Sequence, residues 1–240
     1  MIKNMKIPYR VCALVLAAVL LVLIVPLLAV GRYDVPSADD FSFGARAHIA
    51  YESTHSLLAA VSAAAEEAST AYGTWQGSFS AIFLMAIPPM VFGEQAYALT
   101  AWIMLAALVG GTFIFCAALF RRVFGTRRSV GMCAAALVCV IATQTPVSPV
   151  QGFYWYNGAV YYTFFYGLSL AALALGIRLA LDGGVRRAVP LTLLAVFIGG
   201  GNYVTALSTA IIGVSVLAIL AIMRDKRAKR LIIPVAALIA

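Results

Sequence analysis

Long apolar runs, separated by short polar segments, dominate the pattern of hydrophobic and polar positions along the chain. Each predicts a helix that crosses a bilayer, because about twenty residues at ~1.5 Å per residue match a hydrocarbon core of ~30 Å. The six runs cover residues 11–30, 97–120, 129–145, 159–181, 189–202 and 203–223. A further apolar run begins at Leu231 and continues to the last residue. We therefore expect the chain to be the N-terminal part of a longer protein.

A shorter apolar run at 79–92 is interrupted by Pro88 and Pro89. The charges decide its placement, since lysine and arginine concentrate in cytoplasmic loops. Basic residues precede the run at 11–30 and follow the run at 97–120; they are Lys3, Lys6, Arg10, Arg121, Arg122, Arg127 and Arg128. The run at 11–30 takes the chain out of the cytoplasm, and the run at 97–120 brings it back. If the run at 79–92 also crossed, the arginines after residue 120 would lie outside. We therefore predict a cytoplasmic N-terminus, an extracytoplasmic loop at 31–96 and a juxtamembrane helix at 79–92.

Composition supports this arrangement. Hydrophobic residues make up 63% of the chain and charged residues 11%, against roughly 25% charged in a soluble domain. The net charge of +8 is not a nucleic-acid footprint, because 15 of the 17 basic residues fall on the predicted cytoplasmic side and seven of the nine acids fall outside. The sequence thus predicts an all-α, polytopic membrane protein with six to seven transmembrane helices, forming one module over 1–240.

The long loop at 31–96 carries an acidic pair, Asp39-Asp40, nine residues after the first predicted span. One interpretation is a solvated turn that caps the following helix. The other is a carboxylate at the membrane surface that acts as a base or holds Mg²⁺ or Mn²⁺ beside a phosphate. Asp34 is interpreted as a loop charge.

The Ala-rich stretch at 45–71 predicts one helix that lies along the interface. His48, Glu52 and His55 have the spacing of one helical face, on which they would either bind a transition metal or form the polar side of the helix.

Two further segments hold candidate binding residues. Trp155, Tyr156 and Asn157 belong to an aromatic-rich segment in the second predicted outer loop, 146–158. It predicts either an interfacial aromatic belt or a stacking surface for a sugar or polyprenyl chain. Asn202 follows three glycines that would allow a tight turn or a close approach of two helices, and substrate contact is a hypothesis for its side chain.

The layout resembles polytopic GT-C glycosyltransferases. The resemblance rests on Asp39-Asp40-Phe41 after the first span, on Trp75-x-Gly77 before a short juxtamembrane helix, and on the aromatic segment from Phe153 to Ala159. It covers nearly the whole chain. One departure is Ser78, where the family pattern has a basic residue after Trp-x-Gly.

The resemblance implies transfer of a sugar from a polyprenyl-phosphate-linked donor to a cell-envelope glycan or lipid acceptor outside the membrane. It also implies that the membrane is a bacterial inner or plasma membrane. Asp39 or Asp40 would be the catalytic base or metal ligand. Arg32 and Arg46 are the cations of the predicted outer loops that could pair with the donor phosphate. Trp75, Trp155, Tyr156, Asn157 and Asn202 would contact substrate. Two alternatives remain open, a transporter or flippase for lipid-linked saccharides and a non-catalytic membrane scaffold.

Overall fold

A computed structural model describes residues 8–239, and this range contains helices and no strand. The all-α prediction is therefore confirmed for the described residues. Lys3 and Lys6, which support the predicted orientation, lie outside that range. The α-helices are α1 (Tyr9–Val30), α2 (Asp39–Thr54), α3 (Leu57–Thr74), α4 (Phe79–Met85), α5 (Leu99–Ala118), α6 (Arg128–Gln144), α7 (Tyr156–Ala159), α8 (Phe165–Asp182), α9 (Val185–Gly199), α10 (Tyr203–Ile222) and α11 (Ala228–Ile239).

Helices α1, α5, α6, α8, α9, α10 and α11 run alternately between two ends of the molecule. At the end that we call the arginine end, Arg122 after α5 pairs with Asp182 at the end of α8. At the opposite end, the Tyr154 hydroxyl donates to the carbonyl of Leu27 near the end of α1 (3.1 Å). We call this the acidic end, because α2 and its acidic pair pack there.

Within residues 8–239, four helical stretches are long and apolar enough to cross a membrane: Tyr9–Tyr33, Glu94–Val123, Tyr156–Asp182 and Tyr203–Ile222. They correspond to four of the six predicted spans. The other two predicted spans form α6 and α9, which are 17 and 15 residues long. Helix α10 buries one residue, Thr209, and exposes large apolar side chains along its length. Apolar exposure of this extent is compatible with a lipid surrounding.

Two glycines bring α5 and α8 into backbone contact. A Cβ added to Gly111 would lie 2.2 Å from the carbonyl oxygen of Gly167, and one added to Gly167 would lie 2.4 Å from that of Ala107. Small residues at such a crossing allow helices to pack closely where the hydrophobic effect does not drive them together.

The predicted single helix at 45–71 is wrong, because the chain turns between two helices. Helix α2 ends at Thr54, His55 adopts a left-handed conformation (φ 51°), and Ser56 caps α3 by accepting from the N–H of Ala59 (3.3 Å). His55 therefore lies outside the helix that carries His48, and the predicted metal-binding face does not form. The described residues contain no group of three His, Cys, Asp or Glu side chains suited to a metal ion.

The apolar segment at 79–92 begins and ends at the acidic end. It forms the seven-residue helix α4 and a short 3₁₀ turn, Pro89–Phe92. The backbone N–H groups of Ser80 and Ala81 donate to the carbonyl of Gly200 at 2.9 and 3.1 Å. A side chain on Gly200 would collide with the ring of Phe79. The glycines after α9 thus permit the close approach that the sequence suggested.

Candidate functional site

Asp40 lies at the centre of a buried hydrogen-bond network that joins three parts of the chain. Its side chain is fully buried in the first turn of α2. Oδ2 accepts from the N–H of Ser37 (3.1 Å) and from the Tyr97 hydroxyl, and Oδ1 accepts from the N–H of Asn157 (3.1 Å). The Tyr97 oxygen accepts in turn from the N–H of Tyr156 (2.9 Å). Asp40 therefore fixes the loop helix α2 against the segments that lead into α5 and α8.

The carboxyl groups of Asp40 and of the nearby Asp34 both have raised pKa values. Burial raises the pKa of Asp40, and its hydrogen bonds from Tyr97, Ser37 and Asn157 oppose that shift only in part. Burial also raises the pKa of Asp34 to about 6, a backbone hydrogen bond at Val35 opposes it, and the charge of Asp40 adds to it. Asp34 Oδ2 is buried without a hydrogen-bond partner in the described residues. Perturbed carboxyl groups of this kind concentrate at functional sites.

Asp39 points away from this network. It is exposed, and it shares one face of α2 with Ser42, Phe43 and Arg46, which follow at helical spacing. Beside this face lies a cavity of about 270 Å³ between α2 and α3. We call it the α2–α3 groove; its wall consists of Ser42, Phe43, Glu67, Thr70, Ala71, Thr74 and Trp75.

Arg46 and Trp75 border the groove in different ways. Arg46 pairs through Nε with Glu67 at 3.0 Å, and its side chain remains 55% exposed. Trp75 is 65% exposed, and its ring centre lies 6.1 Å from that of Phe43. The groove therefore has an open aromatic face in Trp75 and a cation beside its wall, since Arg46 pairs with the lining residue Glu67. These are groups that recognise a sugar joined to a phosphate.

The aromatic segment is buried instead of forming an open stacking surface. Tyr156 and Asn157 are 5% and 3% exposed. Trp155 is half-buried, and it packs so closely over Gly158 that an added Cβ would lie 2.7 Å from its ring. Neither side-chain polar atom of Asn157 has a partner in the described residues, and neither does Trp155 Nε1. Buried polar groups of this kind normally bind ordered water or a ligand group.

Asn202 stands apart from both places. It is 2% exposed, and its Oδ1 accepts from the N–H of Thr205 at 2.9 Å, which caps α10. Asparagine is among the preferred residues at a helix N-terminus. The contacts of Asn202 thus describe a helix cap in the turn after α9.

The candidate residues from the sequence fall at two different places in the structure. Arg46 and Trp75 lie at the α2–α3 groove, and Asp39 lies one helical turn before its lining residues Ser42 and Phe43. Asp40, Tyr156 and Asn157 belong to the buried network. Comparisons with protein-family models, curated proteins and solved structures found no match. A functional assignment therefore depends on the chemistry of these residues.

Sequence reasoning missed three members of the site. Tyr97 has the pattern of an interfacial aromatic at the start of a span, and Asp34 has that of an ordinary loop acid. Glu67 lies in the Ala-rich stretch, where its spacing gives no sign of a partner. The spacing of Asp39 and Arg46 on one helical face was available as a signal for the groove.

Proposed function

We propose that the chain is a module of a polytopic membrane glycosyltransferase of the GT-C type. It would transfer a sugar from a polyprenyl-phosphate-linked donor to an acceptor outside the membrane. The observation that carries this proposal is the exposed Asp39 on the face of α2 whose next turn, Ser42 and Phe43, lines a groove that Arg46 and Trp75 border. In the proposed reaction Asp39 would remove a proton, Arg46 would face the phosphate, and Trp75 would contact the sugar ring.

The proposed topology has a cytoplasmic arginine end and six to seven spans. The alternating helix directions support it, as does the collection of arginines at one end and of α2 with its acids at the other. Helix α6, with 17 residues, reaches the lower limit of about 17–25 residues for a span. Helix α9, with 15, falls slightly short, and local thinning of the bilayer can accommodate that mismatch. The groove would then lie at the outer surface, level with donor headgroups.

The proposed reaction needs one proton transfer. The acceptor hydroxyl attacks the anomeric carbon, the bond from that carbon to the phosphate oxygen breaks, and polyprenyl phosphate leaves with the electron pair. The Asp39 carboxylate takes the proton from the attacking hydroxyl. Arg46 compensates the charge on the departing phosphate, since its pair with Glu67 uses one of several guanidinium N–H groups.

Asp40 has a different proposed role. A carboxylate that is fully buried and accepts three hydrogen bonds is poorly placed to receive a proton from a substrate. It would hold α2 so that Asp39 faces the groove. Of the two carboxylates near the groove, Glu67 pairs with Arg46. Asp39 would be the one left to hold Mg²⁺ or Mn²⁺, and the proposed step uses it as the base.

The proposal is tested by sugar transfer in membranes that contain Asp39→Asn or the control Glu66→Gln, which changes another exposed loop carboxylate. We expect Asp39→Asn to lower kcat about 100-fold or more, as removal of a general base does, with unchanged protein level and unfolding temperature. Full transfer by Asp39→Asn would overturn the assignment. Movement of the donor across the membrane without transfer to an acceptor would instead support the flippase alternative.

A further inference from the structure

Five arginines line one cavity at the arginine end, far along the chain from the proposed catalytic groove. The cavity has a volume of about 460 Å³, and its wall includes Arg121, Arg122, Arg127, Arg128 and Arg178. One carboxylate, Asp182, belongs to the same wall. The cavity therefore carries a large excess of positive charge.

The charges of this cavity are poorly compensated from within the protein. Asp182 pairs with Arg122 and also with Arg187, which approaches it at 3.4 Å. Within residues 8–239, the other four cavity arginines form no ion pair. Like charges held around one space repel each other, and an anion in that space would relieve the repulsion. Planar guanidinium groups also match the geometry of phosphate oxygens.

A second, apolar cavity shares the wall residue Arg122 with this one. It has a volume of about 570 Å³ between α5, α8, α9, α10 and α11. Most of its wall is apolar, with residues such as Phe115, Gly176 and Leu231, while Arg227 stands with Arg122 among its lining residues. Its size lies within the ~300–1,000 Å³ of ordinary ligand cavities. A cationic cavity and an apolar cavity that share the wall residue Arg122 match the two parts of a molecule with a phosphate head and a hydrocarbon chain.

We propose that the two cavities together bind one anionic phospholipid, with its phosphate among the arginines and an acyl chain between α8 and α10. This site is separate from the proposed donor site, which lies at the opposite end of the helices, and it does not depend on glycosyl transfer. Binding would join α5, α8 and α11 through one ligand.

The hydrocarbon part of the proposal is tested with two glycine variants. A Cβ added to either Gly176 or Gly110 meets no atom within 4 Å, so a side chain can start at both positions without a clash. Gly176→Leu fills the apolar cavity, whereas Gly110→Leu lies outside its wall and serves as the control. Lipid binding is measured by native mass spectrometry of the purified chain in detergent, with phosphatidylglycerol, phosphatidylcholine or inorganic phosphate added.

The cationic part is tested with Arg178→Gln and Arg127→Gln, against Arg186→Gln, which removes an exposed charge outside the cavity wall. We expect phosphatidylglycerol to bind the unchanged protein more tightly than phosphatidylcholine does. Each cavity arginine should contribute about a fivefold change in the dissociation constant, which corresponds to ~1 kcal/mol per basic residue. Gly176→Leu should weaken binding about tenfold, and the two controls should leave it unchanged.

Three results would overturn the proposal. An equal loss with Arg186→Gln would mean that lipid responds to diffuse charge instead of this cavity. Unchanged lipid binding in Gly176→Leu would remove the acyl chain from the apolar cavity. Inorganic phosphate that displaces the lipid completely at millimolar concentration, together with an unaffected Gly176→Leu variant, would identify a site for the free anion.

Discussion

The hydroxyl of Tyr97 donates a hydrogen bond to the buried carboxylate of Asp40. This contact joins the first turn of α2 to the segment that opens α5, across 57 positions of the chain. Because the same hydroxyl oxygen also accepts from the N–H of Tyr156, one side chain connects the acidic loop to two long helices. The orientation of α2, and with it the direction in which Asp39 faces, depends on this pair.

Loss of the pair should therefore destabilise the protein. Tyr97→Phe removes a donor from Asp40 and an acceptor from Tyr156, and each buried group left unpaired costs about 1–3 kcal/mol. Asp40→Asn places an amide donor among three existing donors, with a similar cost. We expect both variants to unfold at a lower temperature in detergent. Tyr33→Phe is the control, since Tyr33 is 87% exposed, and an equal loss in that variant would contradict the role of the network.

The acidic pair illustrates what the sequence could and could not predict. Helical periodicity places Asp40 on one face of α2 with Gly44 and Ala47, all three of which are buried. It also places Asp39 on the face of Arg46. Periodicity does not say which face meets the protein, because Asp40 is as polar as its neighbour and the donor that satisfies it lies in a distant segment. The long apolar helices were predictable because their length and apolar composition can be read directly from the sequence.

Asp34 should make the stability of the protein depend on pH. Its pKa in the folded protein is about 6, raised from 3.8, so the folded state holds this proton more tightly than the unfolded state. The protonated carboxyl group of Asp34 therefore makes its full contribution to the free energy of unfolding below about pH 4. That contribution is lost as the pH rises through about 6. After allowance for partial solvent screening, Asp34→Asn should remove a penalty of about 1–2 kcal/mol at pH 8.

The measurement is the unfolding temperature of both proteins between pH 4 and 8. We expect Asp34→Asn to unfold at a higher temperature than the unchanged protein at pH 8 and at a similar temperature at pH 4. A constant difference across the range would mean that Asp34 does not titrate there. Glu66→Gln provides the comparison for the loss of an exposed carboxyl group.

The glycine contact between α5 and α8 should tolerate no side chain. Gly167→Ala places a methyl group 2.4 Å from the carbonyl oxygen of Ala107, so the two helices must separate. Overpacking of this kind costs about 1–3 kcal/mol. Gly110→Ala lies in the same helix pair, meets no atom within 4 Å, and should be neutral or stabilising. The yield of monodisperse protein in detergent distinguishes the two, and equal yields would show that the helices do not touch at Gly167.

Trp75 should affect substrate binding more than the chemical step, because its exposed ring borders the α2–α3 groove while Asp39 carries the proposed proton transfer. An aromatic contact with a sugar contributes about 0.5–1.5 kcal/mol beyond the area that it buries. Trp75→Ala should then raise KM for the lipid-linked donor about 2- to 10-fold and leave kcat within about twofold. Trp102→Ala is a matched control, since Trp102 is 52% exposed on α5. A fall in kcat with unchanged KM would place Trp75 at the reacting atoms instead, and an equal effect of both variants would indicate that the tryptophans act through the bilayer.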